Sequence, residues 1–142
     1  MSQSSVPSVL VEAYRATNYH VFLDGKPFVL RVGQHSDALD SLYQATRTRT
    51  AVFITAENPF SLTLSPAENS ASQMRLAQQL SSLTEHIFDG AGQGDDEVWP
   101  PETSFLALGI NREQACALGQ QFGQNAILWA DADSVPELIL LR

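Results

Sequence analysis

Ala51-Val52-Phe53-Ile54-Thr55 is a nearly continuous apolar run with β-branched residues, and it opens directly into Ala56-Glu57-Asn58-Pro59. A strand without polar alternation is one covered on both faces, so this run predicts a central strand with helices above and below it. Asn-Pro then punctuates the chain and marks residues 56–61 as a loop. Upstream, Ser36 is a natural N-cap, with Asp37 in the first turn where the helix dipole favours a carboxylate. Leu39, Leu42 and Tyr43 give that helix one apolar side, and the polar residues 46–50 end it. Further back, residues 19–23 and 27–32 read as two strands around Asp24-Gly25, a hairpin turn whose positive φ glycine supplies. A first helix over residues 7–17 starts on Pro7, where a missing N–H costs nothing, and repeats Val9, Leu10, Ala13, Tyr14 and Thr17 at helical spacing.

Downstream, Ser65-Pro66-Ala67-Glu68 is a capping box that starts a long helix. Its expected buried stripe is Leu76, Leu80, Leu83 and Ile87, and its expected wet side Gln73, Gln78, Gln79 and Glu85. Glycine and acid over residues 89–97 read as a loop. Residues 104–108 form a buried strand, and Asn111 caps a helix that Gly123 closes. Residues 126–129 and 137–141 are two last strands joined by a turn-rich segment. The order αββαβαβαββ predicts one domain over residues 1–142, of α/β or α+β class, with a single mixed sheet flanked by helices.

Composition narrows the function. Hydrophobic residues make up 44% of the 142, enough for a core. Eight basic against 16 acidic residues leave a charge of −8, which opposes a protein that grips a nucleic-acid backbone. No apolar run approaches the roughly 18 residues of a membrane span, and residues 1–5 lack a signal-peptide pattern, so a soluble cytoplasmic protein is expected. Lone Cys116 allows neither an intramolecular disulfide nor a zinc–cysteine cluster, and it is expected to be inert. His20, His35 and His86 lack ligand spacing, so neither a metal nor a cofactor is expected. Gly90-Ala91-Gly92-Gln93-Gly94 fails as a phosphate loop because acid follows it instead of Lys and Ser or Thr.

Polar side chains just past the end of a buried strand are held rigidly yet reach solvent, which is where sites on open sheets commonly lie. Thr55 and Asn58 occupy such an end. Glu102 and Ser104, in Trp99-Pro100-Pro101-Glu102-Thr103-Ser104, occupy the start of another strand. If those two strands are antiparallel, Asn58 and Glu102 share one edge, and a carboxylate beside an amide and a hydroxyl can act as a base or bind a polar ligand. The plainer alternative is that Asn58 shapes a turn through its own backbone and Glu102 is a surface residue. Arg47 and Arg49, two apart, offer bidentate anion binding, with Arg15 as a further cation; ordinary solvation or ion pairing is the plainer reading there too.

The chain resembles the bacterial family of unknown function DUF3293. The likeness rests on Tyr14-Arg15-Ala16-Thr17-x-Tyr19, on Phe53-Ile54-Thr55-Ala56-Glu57-Asn58-Pro59 with its Thr-Ala-x-Asn-Pro core, on Glu102-Thr103-Ser104-Phe105-Leu106-Ala107-Leu108-Gly109, and on Phe122-Gly123-Gln124-Asn125-Ala126-Ile127-Leu128-Trp129. The resemblance implies relatives without implying a mechanism. It places polar signatures at the same two strand ends and adds Gln124. The expected site is therefore Arg15, Thr55, Asn58, Glu102, Ser104 and Gln124, taking a small polar or anionic ligand at one edge of the sheet. Asn58 would orient the ligand, Glu102 accept a proton or hydrogen bond, and Arg15 pair with an anionic group. The alternative is a non-catalytic protein-interaction module; reaction type and oligomeric state are not legible in the sequence.

Overall fold

The computed structural model describes residues 4–59, 62–94 and 102–142. Its elements are α1 (Ser8–Ala16), β1 (Asn18–Val21), β2 (Phe28–Leu30), α2 (Asp37–Thr46), β3 (Ala51–Ile54), α3 (Pro66–Leu83), β4 (Ile87–Gln93), β5 (Glu102–Leu108), α4 (Arg112–Gln121), β6 (Ala126–Ala130) and β7 (Pro136–Leu140). The helix starts follow the capping chemistry. Ser36 Oγ accepts from the Leu39 amide at 3.1 Å, Ser65 and Glu68 exchange both bonds of a capping box, and Asn111 and Gln114 do the same.

Seven strands form one sheet in the order β2-β1-β4-β5-β3-β6-β7, and each neighbouring pair is antiparallel. The fold is α+β, and the expected mixed sheet is corrected to an antiparallel one. The physical reason lies in where the helical crossovers land. The connection through α4 leaves β5 and β6 running the same way, but β3 is inserted between them. The connection through α3 likewise makes β3 and β4 run the same way with β5 inserted. Two interleaved crossovers of this kind satisfy every ladder with antiparallel partners.

The element order is corrected as well, because β4 occupies residues expected to be a helix end and a loop. Ile87 belongs to this strand, since α3 stops at Leu83. Gly90 and Gly92 hide the strand in the sequence, but they are also what lets it fit. A Cβ on Gly90 would lie 2.5 Å from the His20 carbonyl oxygen and 2.8 Å from the Phe53 ring. Phe53 and Tyr19 meet edge to face over this bare stretch, with ring centroids 5.3 Å apart. The rest of the expected loop, residues 95–97, lies outside the described residues, as do Trp99, Pro100 and Pro101.

Burial sorts the side chains onto two faces. Val52, Ile54, Ala107, Ile127 and Trp129 pack with Leu76 and Leu80 of α3 and with Ala115 and Leu118 of α4. Ala51, Phe53, Leu106, Leu108 and Leu128 pack with Leu39, Leu42 and Tyr43 of α2. All four residues of β3 are buried, as expected of a central strand. No helix among the described residues is long and apolar enough to cross a membrane.

Candidate functional site

The antiparallel pairing of β3 with β5 aligns Ile54 with Phe105. The ladder ends there, and the chain beyond β3 carries Glu57 near enough to Glu102 for its charge to raise that carboxyl. Asn58 and Glu102 thereby come to one end of the sheet, where Asn58 Nδ2 donates to Glu102 Oε2 across 3.4 Å. The start of β6 reaches the same end, because Phe53 pairs with Leu128. Gln124, just ahead of β6, donates from Nε2 to the Glu57 carbonyl at 3.1 Å and to the Phe122 carbonyl at 3.2 Å.

Much of this rim is pinned by its own hydrogen bonds. Thr55 Oγ1 donates to the Thr103 carbonyl at 2.7 Å and accepts from the Glu57 amide at 3.1 Å. Asn58 has φ 46°, a left-handed conformation that asparagine tolerates better than most residues. Its main-chain N–H donates to Asn69 Oδ1 at 2.9 Å, and its own Oδ1 accepts from the Leu64 amide and Asn69 Nδ2, each at 3.0 Å. Beneath them, Gln73 Oε1 accepts from the Ala56 amide at 2.8 Å, and Gln73 Nε2 donates to the Thr103 carbonyl. Gln73 is thus buried, contrary to its expected place on the wet side of α3. Its amide serves two main-chain groups that the end of β3 leaves without ladder partners.

The two carboxyls are the groups with chemistry to spare. Burial, then the negative charge of Glu57, push the Glu102 carboxyl up from 4.5, against the opposing pull of the Asn58 amide. Burial also raises Glu57, against a hydrogen bond from the Thr103 main chain. The negative charge of Glu57 disfavours ionisation of Glu102. Tyr19, Gly92 and Glu102 form one cross-strand row, so the missing side chain of Gly92 leaves phenol and carboxyl facing the same space. Burial raises the Tyr19 phenol, and nearby Tyr14 and Glu102 add to the shift. The Tyr19 hydroxyl donates to the Tyr14 carbonyl at 2.7 Å.

Of the six expected residues, Thr55, Asn58, Glu102 and Gln124 come together. Ser104 lies beneath them, 2% exposed, with its hydroxyl donating to the Glu102 carbonyl at 3.0 Å. Arg15 is exposed in the last turn of α1 and makes no hydrogen bond or ion pair with a described residue, so no contact ties it to the cluster. Glu57 and Tyr19 were not expected. Glu57 adjoins Asn58 in the loop after β3, and that adjacency is its signal in the sequence; Tyr19 needed the position of β4.

A pH dependence follows. A folded-state carboxyl raised above 4.5 holds its proton more tightly than the unfolded chain does, so its contribution is most favourable at low pH. That contribution is lost as pH climbs from 4.5 through the raised value. Glu102→Gln keeps the neutral shape at every pH. Urea unfolding should find the variant more stable than wild type near about pH 7, with the gap closing on acidification. A gap that widens on acidification would contradict the assigned shift.

The sequence model of a family described as protein of unknown function (DUF3293) matches residues 54–127, more than half of the chain. The match includes Thr55, Glu57, Asn58, Glu102, Ser104 and Gln124, and it excludes Arg15 and Tyr19. No curated protein and no solved structure matches the chain.

Proposed function

The chain belongs to the DUF3293 family, and we propose that it binds a small polar ligand at the end of the sheet where Glu57 and Glu102 meet. The observation that carries this reading is the setting of Glu102, partly buried beside the Asn58 amide and the Tyr19 phenol and raised by the charge of Glu57. Desolvating two like charges costs stability, and a ligand that offers donors or positive charge repays that cost on binding. A carboxyl that holds its proton more tightly than an ordinary glutamate suits acid–base work on a bound molecule. A cytoplasmic setting is part of the proposal, supported by a single free cysteine and no need of an oxidising compartment.

One observation favours the rival reading, a non-catalytic interaction module: Thr55, Asn58 and Gln124 spend their hydrogen bonds inside the protein. A thermal-shift panel of amino acids, amines, sugars, nucleotides and divalent cations separates the two. A ligand at about a hundredfold its dissociation constant stabilises by about 2.7 kcal/mol. The proposal expects at least one donor-rich compound to raise Tm in wild type and to lose that effect in Glu102→Gln. A silent panel, or a shift that survives the substitution, favours the module.

A further inference from the structure

A second place on the molecule has binding chemistry that the carboxyl rim does not use. At the opposite end of β3, where α2 turns into the strand, lies an open groove of about 440 Å³. Asp40, Tyr43, Gln44, Arg47, Thr48, Arg49 and Ala132 line it. Arg47 is the C-cap of α2 with φ 58°, a conformation for which glycine would be the cheapest residue. The turn is fixed by the Thr48 amide donating to the Tyr43 carbonyl at 3.0 Å and by the Thr46 and Thr48 hydroxyls 2.8 Å apart. Arg47 and Arg49 therefore project from a pinned backbone.

Neither guanidinium makes a hydrogen bond or ion pair with a described residue, although the chain carries twice as many acidic as basic side chains. The acids nearby make their hydrogen bonds elsewhere, although Asp40, Asp131 and Asp133 keep their charge and all three raise the Tyr43 phenol that lines the groove. Asp40 Oδ2 accepts from Gln44 Nε2 at 3.1 Å, Asp131 Oδ1 from the Ala132 amide at 2.8 Å, and Asp133 Oδ1 from the Val135 amide at 3.1 Å. We propose that Arg47 and Arg49 bind the oxyanion of a small molecule, a carboxylate or phosphate group, in this groove. Planar guanidiniums pair with such groups in bidentate fashion. Size is set by charge: Asp40, Asp131, Asp133 and the net −8 oppose a polyanion, whereas a single oxyanion adds the least charge beside those aspartates while gaining bidentate contact with a guanidinium.

The test is an NMR titration with inorganic phosphate, and separately with acetate, at constant ionic strength, following the amides of residues 47–49. Saturable shifts at those three amides are expected with at least one of the two, and the stronger arm identifies the oxyanion. Arg49→Gln and Arg47→Gly should each weaken binding by about tenfold or more. Arg47→Gly removes the charge while easing φ 58°, so a raised Tm together with lost binding excludes misfolding as the cause. Absent or non-saturating shifts, binding unchanged in both variants, or tighter binding of a single-stranded oligonucleotide than of phosphate would overturn the proposal.

Discussion

Gly90→Ala is expected to destabilise the protein by about 3 kcal/mol, the upper range for overpacking a site that cannot relax, and to lower Tm by roughly 10 °C. The new methyl would lie 2.5 Å from the His20 carbonyl oxygen, a main-chain atom held in the β1–β4 ladder, and 2.8 Å from the Phe53 ring. A flexible side chain could move aside; the carbonyl can do so only if β1 leaves β4. Adding Phe53→Leu removes the ring clash and leaves the carbonyl one, so the double variant should remain well below wild type. Gly92→Ala is the control, because its nearest neighbour would be Tyr19 Cδ1 at 3.6 Å, an ordinary contact. Thermal unfolding of the set checks the argument. A Gly90→Ala protein as stable as Gly92→Ala would show that β4 does not pass beneath these rings.

Asn58→Ala carries a comparable effect for a different reason. Alanine at φ 46° costs about 1 kcal/mol in backbone strain. The Leu64 amide, Asn69 Nδ2 and Glu102 Oε2 also lose their partner, at about 1 kcal/mol for each partly buried group. Neighbouring terms are not strictly additive, so a total of about 3 kcal/mol is expected from urea unfolding. Asn58→Gly accepts the backbone conformation and should recover about 1 kcal/mol of it. If glycine recovers nothing, the strain is not where φ places it. If alanine costs nothing, the loop of residues 56–59 is not held by this side chain.

The sequence is most legible where a residue type has one local job. Ser36, Ser65 and Asn111 cap their helices because a side-chain acceptor before a run of orphan amides has few other uses. The all-apolar β3 announces a strand covered on both faces. Legibility fails where the job depends on a distant partner. Gly90 is a strand residue only because Phe53, 37 positions earlier, fills the space above it. Gln73 is buried only because the end of β3 offers it two main-chain groups. Strand direction was hidden because a helical crossover reads the same whether its strands pair or admit a third between them.

The candidate site divides along the same line. Asn58 and Glu102 read as polar groups at strand ends, their meeting conditional on antiparallel pairing, and β3 and β5 meet that condition. A loop glutamate such as Glu57 reads as surface until its neighbour across the sheet end is known. Arg15 is a candidate by its charge and by the likeness over Tyr14-Arg15-Ala16-Thr17-x-Tyr19, and neither fixes its position.

Glu57 and Glu102 meet at one partly dry end of the sheet, where the charge of Glu57 helps to hold the proton on Glu102. Carboxyl-carbon NMR of the two side chains across an acid titration measures this directly. Both midpoints should lie above 4.5, and Glu57→Gln should move the Glu102 midpoint down. Two ordinary midpoints, with Glu102 indifferent to the loss of Glu57, would contradict it.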